Sequence, residues 1–342
     1  MRKNIWVMTM NKFVELPLEE PMYSTYQFQG PGTAVIANNP SIRNWYLNKI
    51  MLLTCSRNFL YGRGSADINI KDSSFNDVPF LDKIWISSQF LTGYINTAVR
   101  NLLEAGYYVY FIGVDDYYIK GKSLYKERHL SHDGLICGYN REDKTYCICA
   151  YDSNWIYRKF WTPQSCFEAG RKAMRDKGVF TRICGIKPMQ EKVDFSPETA
   201  LKGIEEYLDS SMEKYPEDGE GAVCGIVVHD YISKYVGKLF DGSIPYKRMD
   251  WRVFRLIWEH KKVMLERIQC IEKALGMQPD ISKKYAPLVK EADNMRMLYA
   301  SHHIRRRDSV LPIIQKKLLL LRDEEEKLLK ELLEKTGGIK AE

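Results

Sequence analysis

A chain of 342 residues with 45% hydrophobic and 28% charged residues has the makeup of a globular protein and room for two domains. No run approaches the ~18 apolar residues of a membrane span, so no membrane partner is expected. The 51 Lys and Arg exceed the 44 Asp and Glu by +7, which suits an acidic partner through long-range attraction; nucleic acid is not expected, because the clearest basic run, Arg305-Arg306-Arg307, has no aromatic platform interleaved.

The opening segment begins with basic residues, but Asn11 and Lys12 cut its apolar run short and no small-residue cleavage site follows. It does not read as a secretory signal, and the expected location is cytoplasmic. Eight cysteines, at 55, 137, 147, 149, 166, 184, 224 and 270, are then expected as free thiols. None form a CxxC pair, so neither a metal nor a resident cofactor is expected.

Asn39-Pro40 reads as an N-cap followed by a first-turn proline, opening a helix that runs toward Cys55. A second helix fits 95–106 and stops at Gly106. Residues 107–114, YYVYFIGV, read as a buried strand, and HDGLICGY with TYCICAYD as a hairpin around a polar loop. Beyond these, Ser196-Pro197-Glu198 signals another helix start, EDGEGA near 217–222 reads as a loop, and a helix follows over GIVVHDYISKYVGKLF. Trp251, Phe254, Trp258, Leu265, Ile268 and Leu275 fall on one face of a long helix ended by Gly276. Leu311, Ile314, Leu318, Leu321, Leu328 and Leu332 stripe the last one at alternating three- and four-residue steps. The texture divides the chain into an α+β domain over 1–192 and a helical domain over 193–342.

A thiol nucleophile needs a base, and the base needs an orienting acceptor. Cys55 precedes every histidine, His132 begins the hairpin and Asp152 ends it. If Tyr139 pairs with Thr145, antiparallel partners have numbers that sum to 284, and His132 falls opposite Asp152. Opposed residues hold their Cβ atoms roughly 4.5–5.5 Å apart, close enough for a carboxylate to fix the imidazole. The same register sets Cys137 opposite Cys147, with Cys149 on that face, as buried packing thiols. His132 held by Asp152 with no thiol nearby, and Cys55 as a core thiol, are the structural alternatives. His129 makes H-x-x-H with His132 but lacks a third ligand, and His229, His260, His302 and His303 read as surface or interhelical residues.

The stretch GYYVYFIGVDDYYIKG through HLSHDGLICGYNREDKTYCICAYDSNWIYRKFWTPQSCFEAG resembles the N-terminal domain of the butirosin acyltransferase family, a papain-like branch found beside carrier-protein pathways. The matching features are a tyrosine-rich strand ending in Asp, His at the start of a strand that ends Gly-Tyr, and Asp after the turn. DWRVFRLIWEHKKVMLERI is similar to the helical tail of longer members. Within the family, length and architecture are most similar to an amide synthase that moves an acyl chain from a carrier-protein thioester onto a diamine. The resemblance implies a papain-like fold, Cys55 as acyl-accepting thiol, His132 as base and then acid, and Asp152 as orienter. Two departures stand out. A papain-like thiol opens a helix, whereas the helix read here runs toward Cys55; and the oxyanion glutamine six residues before the thiol is replaced by Lys49. Asn48 or Gln89 are substitutes for it, beside the backbone N–H of Cys55.

The expected chemistry is amide formation in natural-product biosynthesis without ATP. An acyl group leaves the phosphopantetheine arm of an acyl or peptidyl carrier protein, rests on Cys55, and passes to a small amine or diamine. Asp115 and Asp116, directly after a strand, are candidates for a cationic acceptor, and Tyr117 and Trp155, with Tyr118, Tyr157 and Trp161, for a dry channel. A cysteine peptidase or amidase on the same triad, and a non-catalytic carrier-interacting protein, are the alternatives.

Overall fold

The computed structural model describes residues 11–49, 51–62, 64–213 and 221–337. Two compact units emerge, Met1–Pro40 with Ser74–Glu191, and Ser41–Ser73 with Lys192–Glu342. The boundary expected at 192/193 lies one residue from a crossing between units. Residues 41–73, assigned from texture to the first domain, belong instead with the second. A single change of texture cannot reveal a chain that leaves a unit and returns to it.

The strands are β1 (Phe13–Glu15), β2 (Leu53–Ser56), β3 (Asn69–Ile70), β4 (Leu81–Ser87), β5 (Tyr108–Asp115), β6 (Ser131–Asn140), β7 (Thr145–Tyr151), β8 (Tyr157–Pro163), β9 (Arg182–Pro188), β10 (Ser211–Glu213) and β11 (Ala222–Cys224). The helices are α1 (Gly30–Ala37), α2 (Pro40–Lys49), α3 (Ile95–Glu104), α4 (Gln164–Asp176), α5 (Pro197–Asp209), α6 (Val228–Phe240), α7 (Val253–Ala274), α8 (Asp280–Arg305) and α9 (Val310–Lys335). Helices with antiparallel sheets make an α+β architecture. No helix among the described residues is long and apolar enough to cross a membrane.

The first unit is built on an antiparallel sheet in the order β4-β9-β5-β6-β7-β8, with β1 also on β6. β5 pairs with β6 as far as Val109↔Ile136, and β1 pairs with the rest of β6, at Gly138 to Asn140. One face carries Val109, Phe111, Ile136, Ile148 and Ile183, packed on Ile95, Val99 and Leu103 of α3 and Phe167 of α4. The i, i+4, i+8 spacing of the α3 residues makes that stripe, and Gly106 takes the left-handed φ of +82° that lets the chain turn into β5.

The other face meets α1, which is buried from Gly30 to Ile36. A helix apolar on all sides belongs in an interior. Its glycines permit close approach: a Cβ on Gly30 would lie 2.6 Å from the Tyr157 ring, and one on Gly32 would lie 2.4 Å from Cβ of Phe75. Phe75 in turn packs edge-on against Tyr110, 4.9 Å between centroids.

The second unit holds a sheet in the order β10-β11-β2-β3 and helices α5 to α9. Ser196 caps α5, its Oγ accepting from Thr199 N at 3.1 Å. All six residues of the expected α9 stripe are buried. The α7 stripe is different: Phe254 and Ile268 are buried, but Trp251 and Leu275 lie outside the helix and are exposed, and Leu256, Ile257, Val263, Met264 and Ile271 fill the core. Trp258 instead carries cations over its ring, with Lys262 and Arg296 each 4.7 Å from the centroid. Part of the expected 217–222 loop lies outside the described residues.

Candidate active site

At one end of the first unit's sheet β5 and β7 finish and β6 and β8 begin. β5 is irregular there, its register against β6 shifting between Phe111 and Val114 around Gly113, whose φ is +77°. Beyond the bulge Val114 pairs with His132 and Asp115 with Ser131. Asp115 then turns the chain, its Oδ1 accepting from Tyr117 N at 3.2 Å and Leu130 N at 3.1 Å.

Two histidines meet two consecutive carboxylates at this corner. Nδ1 of His132 bonds Oδ2 of Asp116 at 2.5 Å, and Nδ1 of His129 bonds Oδ2 of Asp115 at 2.7 Å. Asp115 is fully buried and Asp116 is 5% exposed, whereas the His132 and His129 side chains keep 29% and 49% of their surface in solvent. Buried Lys122 lies 3.4 Å from Oδ1 of Asp116. Burial pushes its ammonium pKa down, against the pull of Asp116 and Asp133. Lys177 approaches Asp115 at 3.8 Å, and the Tyr117 ring stacks on His129 with centroids 4.2 Å apart. Gly170 lets α4 close on this corner, since a Cβ there would lie 2.9 Å from the Asp115 carbonyl oxygen.

A carboxylate at Nδ1 selects the tautomer with its proton there and stabilises the imidazolium formed when Nε2 takes another. A buried carboxylate bonded to Nδ1 of a part-exposed imidazole is an arrangement in which Nε2 can act as a base. Among the described residues no three of His, Cys, Asp or Glu converge to hold a metal ion.

His132 and Asp152 are not paired. Asp152 ends β7 in a tight turn, where Oδ1 accepts from Asn154 N at 2.8 Å and Ile156 N at 3.0 Å, and Arg158 Nε donates to Oδ2. Burial opposes its ionisation, yet those donors hold its carboxyl below the usual range. The acceptor for His132 is Asp116. The hairpin register also differs from the expectation near its loop, where Tyr139 pairs with Tyr146, not Thr145. A bulge at Cys137 then restores the sum of 284 at Leu135↔Cys149. Cys137, Cys147 and Cys149 are buried, as expected of packing thiols.

Cys55 lies in the second unit, on β2 between β11 and β3. It is fully buried and its Sγ donates to the Ala66 carbonyl at 3.2 Å. Burial, and then the charge of Asp67, push its thiol pKa up, away from thiolate. The helix expected to run toward it stops at Lys49. In the first unit α1 has its first turn against Tyr157, at the His132 end of the sheet, but that turn reads Gln29-Gly30-Pro31-Gly32 and carries no thiol. Asn48 is engaged with Asp194 O and Ser196 N, and the Gln89 side chain lies outside the described residues.

Asp115 and Asp116, expected to bind a cationic acceptor, have all four oxygens engaged by the chain itself. Tyr117 does belong to the corner, against His129. Trp155 sits in the β7–β8 turn with a φ of +58° and half its surface exposed. Sequence reasoning missed Asp116 as the orienter, Lys122 beneath it, and His129 as the second imidazole. The available signal was the pair Asp115-Asp116 ending a strand, followed by His129-x-x-His132 at the start of the next.

No protein-family model matches the chain, and comparison with curated proteins finds no relative.

Proposed function

We propose that the chain is an amide-forming acyltransferase that uses His132, oriented by Asp116, as its base in a direct transfer. The acyl donor is a thioester on a carrier protein and the acceptor a small amine. The amine nitrogen attacks the thioester carbonyl while Nε2 of His132 takes its proton. The C–N bond forms, the C–S bond breaks, and the imidazolium returns the proton to the departing thiolate. Thioester aminolysis runs downhill, so ATP is not required.

The observation that carries this reading is the part-exposed imidazole of His132 fixed at Nδ1 by a nearly buried carboxylate. The acyl class comes from the resemblance of residues 106–170 to the papain-like acyltransferases, and the charge of +7 suits an acidic carrier. Direct transfer is preferred to an acyl-enzyme because the first turn of α1 has no thiol and Cys55 is a buried hydrogen-bonded strand residue.

The test is His132→Gln, assayed with acyl-carrier thioesters and diamines, alongside intact mass spectrometry of the wild-type chain after exposure to the donor alone. Turnover should fall about 10²–10⁴-fold, and no acyl adduct should form. An adduct on Cys55 would restore the covalent route, unchanged turnover in His132→Gln would remove His132 as the base, and no turnover by the wild-type chain would leave a non-catalytic, carrier-interacting role.

A further inference from the structure

The second dyad is unused by that reaction. His129 is held at Nδ1 by Asp115 just as His132 is held by Asp116, and the two carboxylates are adjacent in sequence. Asp115 is the more deeply fixed, fully buried and taking two backbone N–H groups in addition to the imidazole. A bond of this quality to a half-exposed imidazole is more than packing demands.

Amide formation supplies a task for it. An alkylamine with a pKa of about 10, like that of a lysine side chain, carries its proton at neutral pH and cannot attack. Between free ammonium and amide the nitrogen gives up two protons. One returns to the thiolate through His132, and the other must leave before attack.

We infer that His129, held by Asp115, is the base that deprotonates the incoming ammonium and passes that proton to solvent. The inference rests on the acyl-transfer reading of His132. Nε2 of His129 takes the proton from the ammonium, and the neutral amine attacks the thioester with His132 receiving the second proton. The thiolate leaves with that proton, and His129 discharges the first to water. One proton is released for each amide formed. The exposures fit the division: His129, with 49% of its side chain in solvent, exchanges with bulk water, and the less exposed His132, at 29%, serves the reacting atoms. His129 bonds Oδ2 of Asp115, the oxygen that Lys177 also approaches, at 3.8 Å; the Tyr117 ring stacks on His129 with Tyr118 beside it, and Lys126 lies over those two rings.

The experiment compares two nucleophiles on one donor, the octanoyl thioester of N-acetylcysteamine. 1,3-Diaminopropane arrives protonated; hydroxylamine is largely unprotonated at neutral pH. With the diamine at pH 7, His129→Gln and Asp115→Asn should each lose about 10²-fold in kcat/KM, and the loss should shrink as pH rises toward the amine's own pKa. With hydroxylamine both should stay within about threefold of wild type. His132→Gln should lose rate with both nucleophiles at every pH. Melting curves report folding, and Asp115→Asn keeps an acceptor for both backbone N–H groups, so the conclusion does not depend on one variant. Equal losses on the two nucleophiles for His129→Gln and Asp115→Asn would overturn the inference and leave His132 as base. Full activity of His132→Gln would remove His132 as the base and this inference with it, and no turnover of either nucleophile by the wild-type chain, with this thioester and with an acyl-carrier donor, would remove the acyl-transfer reading itself.

Discussion

Among the described residues, imidazole, carboxylate and lysine meet in each of the two units, and the two meetings differ in enclosure. In the first unit His129 and His132 are held by Asp115 and Asp116 with Lys122 beneath, and both rings reach solvent. In the second unit Glu325 accepts from Lys261 Nζ at 2.6 Å, Tyr285 Oη at 2.5 Å and Tyr207 Oη at 3.0 Å, and every one of these residues is fully buried. Nε2 of His260 donates to the Met51 carbonyl at 2.8 Å, leaving Nδ1 to accept from Lys261 at 3.3 Å. Nδ1 of His229 donates to the Ile226 carbonyl at 2.8 Å. That network lies wholly in the interior. The same side chains are sealed in one unit and part-exposed in the other, and under the reading proposed above only the part-exposed pair exchanges protons with solvent.

If enclosure is the distinction, breaking the sealed network should cost stability and leave the chemistry of surviving molecules alone. The largest effect is expected for Lys261→Met, which strands Glu325 as a buried charge. Removing one partner of such a pair destabilises by about 3–5 kcal/mol, read as a fall in the urea midpoint at constant slope. A shift of less than about 1 kcal/mol would mean that water reaches Glu325, and the contrast would fail.

Acid is the second way to press on the sealed network. Burial, and then the charge of Lys261, push His229 down to about 3 from an ordinary 6.5, and His260 well below its ordinary value. Both rings fold neutral. The sign follows: stability is fully present above pH ~6.5, where the unfolded chain is also neutral, and falls as pH drops toward ~3 because the unfolded state takes up the protons first. The His229 contribution is on the order of 4 kcal/mol across that window. Glu325, held below its ordinary range despite burial by Lys261, His229 and Tyr285, adds its own loss only at lower pH. Denaturant titrations from pH 7 to pH 4 should show the fall beginning near 6.5, and a flat profile would contradict it.

What the sequence disclosed and what it hid divide along local against long-range information. The α9 stripe, the α5 cap, the α3 stop at Gly106 and the hairpin strands are each written within about twenty residues, and all appear as read. The α7 face was misplaced because its tryptophans looked like core, whereas Trp258 is covered by cations from its own helix and from α8. β4 and β8 went unread because they are edge strands with mostly exposed or half-buried side chains and no buried apolar run, and β9 because its partners β4 and β5 are distant in sequence. The orienting carboxylate was sought across the hairpin, on the strand after His132. It lies before it instead, beyond the end of β5, which pairs with the other edge of β6. A one-residue bulge at Cys137 is invisible to a register count, yet it decides which residues face each other.

Those two carboxylates give the third test. Asp116→Asn should cost about 10²-fold in turnover, near 2.7 kcal/mol, in the molecules that stay folded, because an amide holds Nδ1 but does not stabilise the imidazolium; losing the charge beside buried Lys122 lowers stability as well. Asp152→Asn should leave turnover alone. Its Oδ1 can still accept from Asn154 and Ile156, and only the charge toward the half-exposed Arg158 is lost, so stability should fall by about 1 kcal/mol with turnover intact. If Asp152→Asn loses turnover without unfolding, the hairpin carboxylate orients His132 after all, and enclosure alone does not choose between the two.

The smallest expected effect is at Cys55, and it bears most directly on the covalent route. A nucleophilic thiol needs exposure and a neighbour that favours thiolate. Cys55 has neither: its side chain is sealed in the β2 ladder, its hydrogen goes to the Ala66 carbonyl, and its surroundings favour the neutral thiol. Serine fits the same space and can donate to the same carbonyl, so Cys55→Ser should cost about 1 kcal/mol, mainly from burying a more polar atom. Turnover should stay within about twofold of wild type, a change of less than 0.5 kcal/mol in the barrier. The measurement is a rate with acyl-carrier donor and diamine, together with a melting curve to separate unfolding from lost chemistry. A folded Cys55→Ser chain without activity would mean that this thiol becomes exposed during turnover, because serine preserves the packing and the hydrogen bond and removes only the sulfur nucleophile.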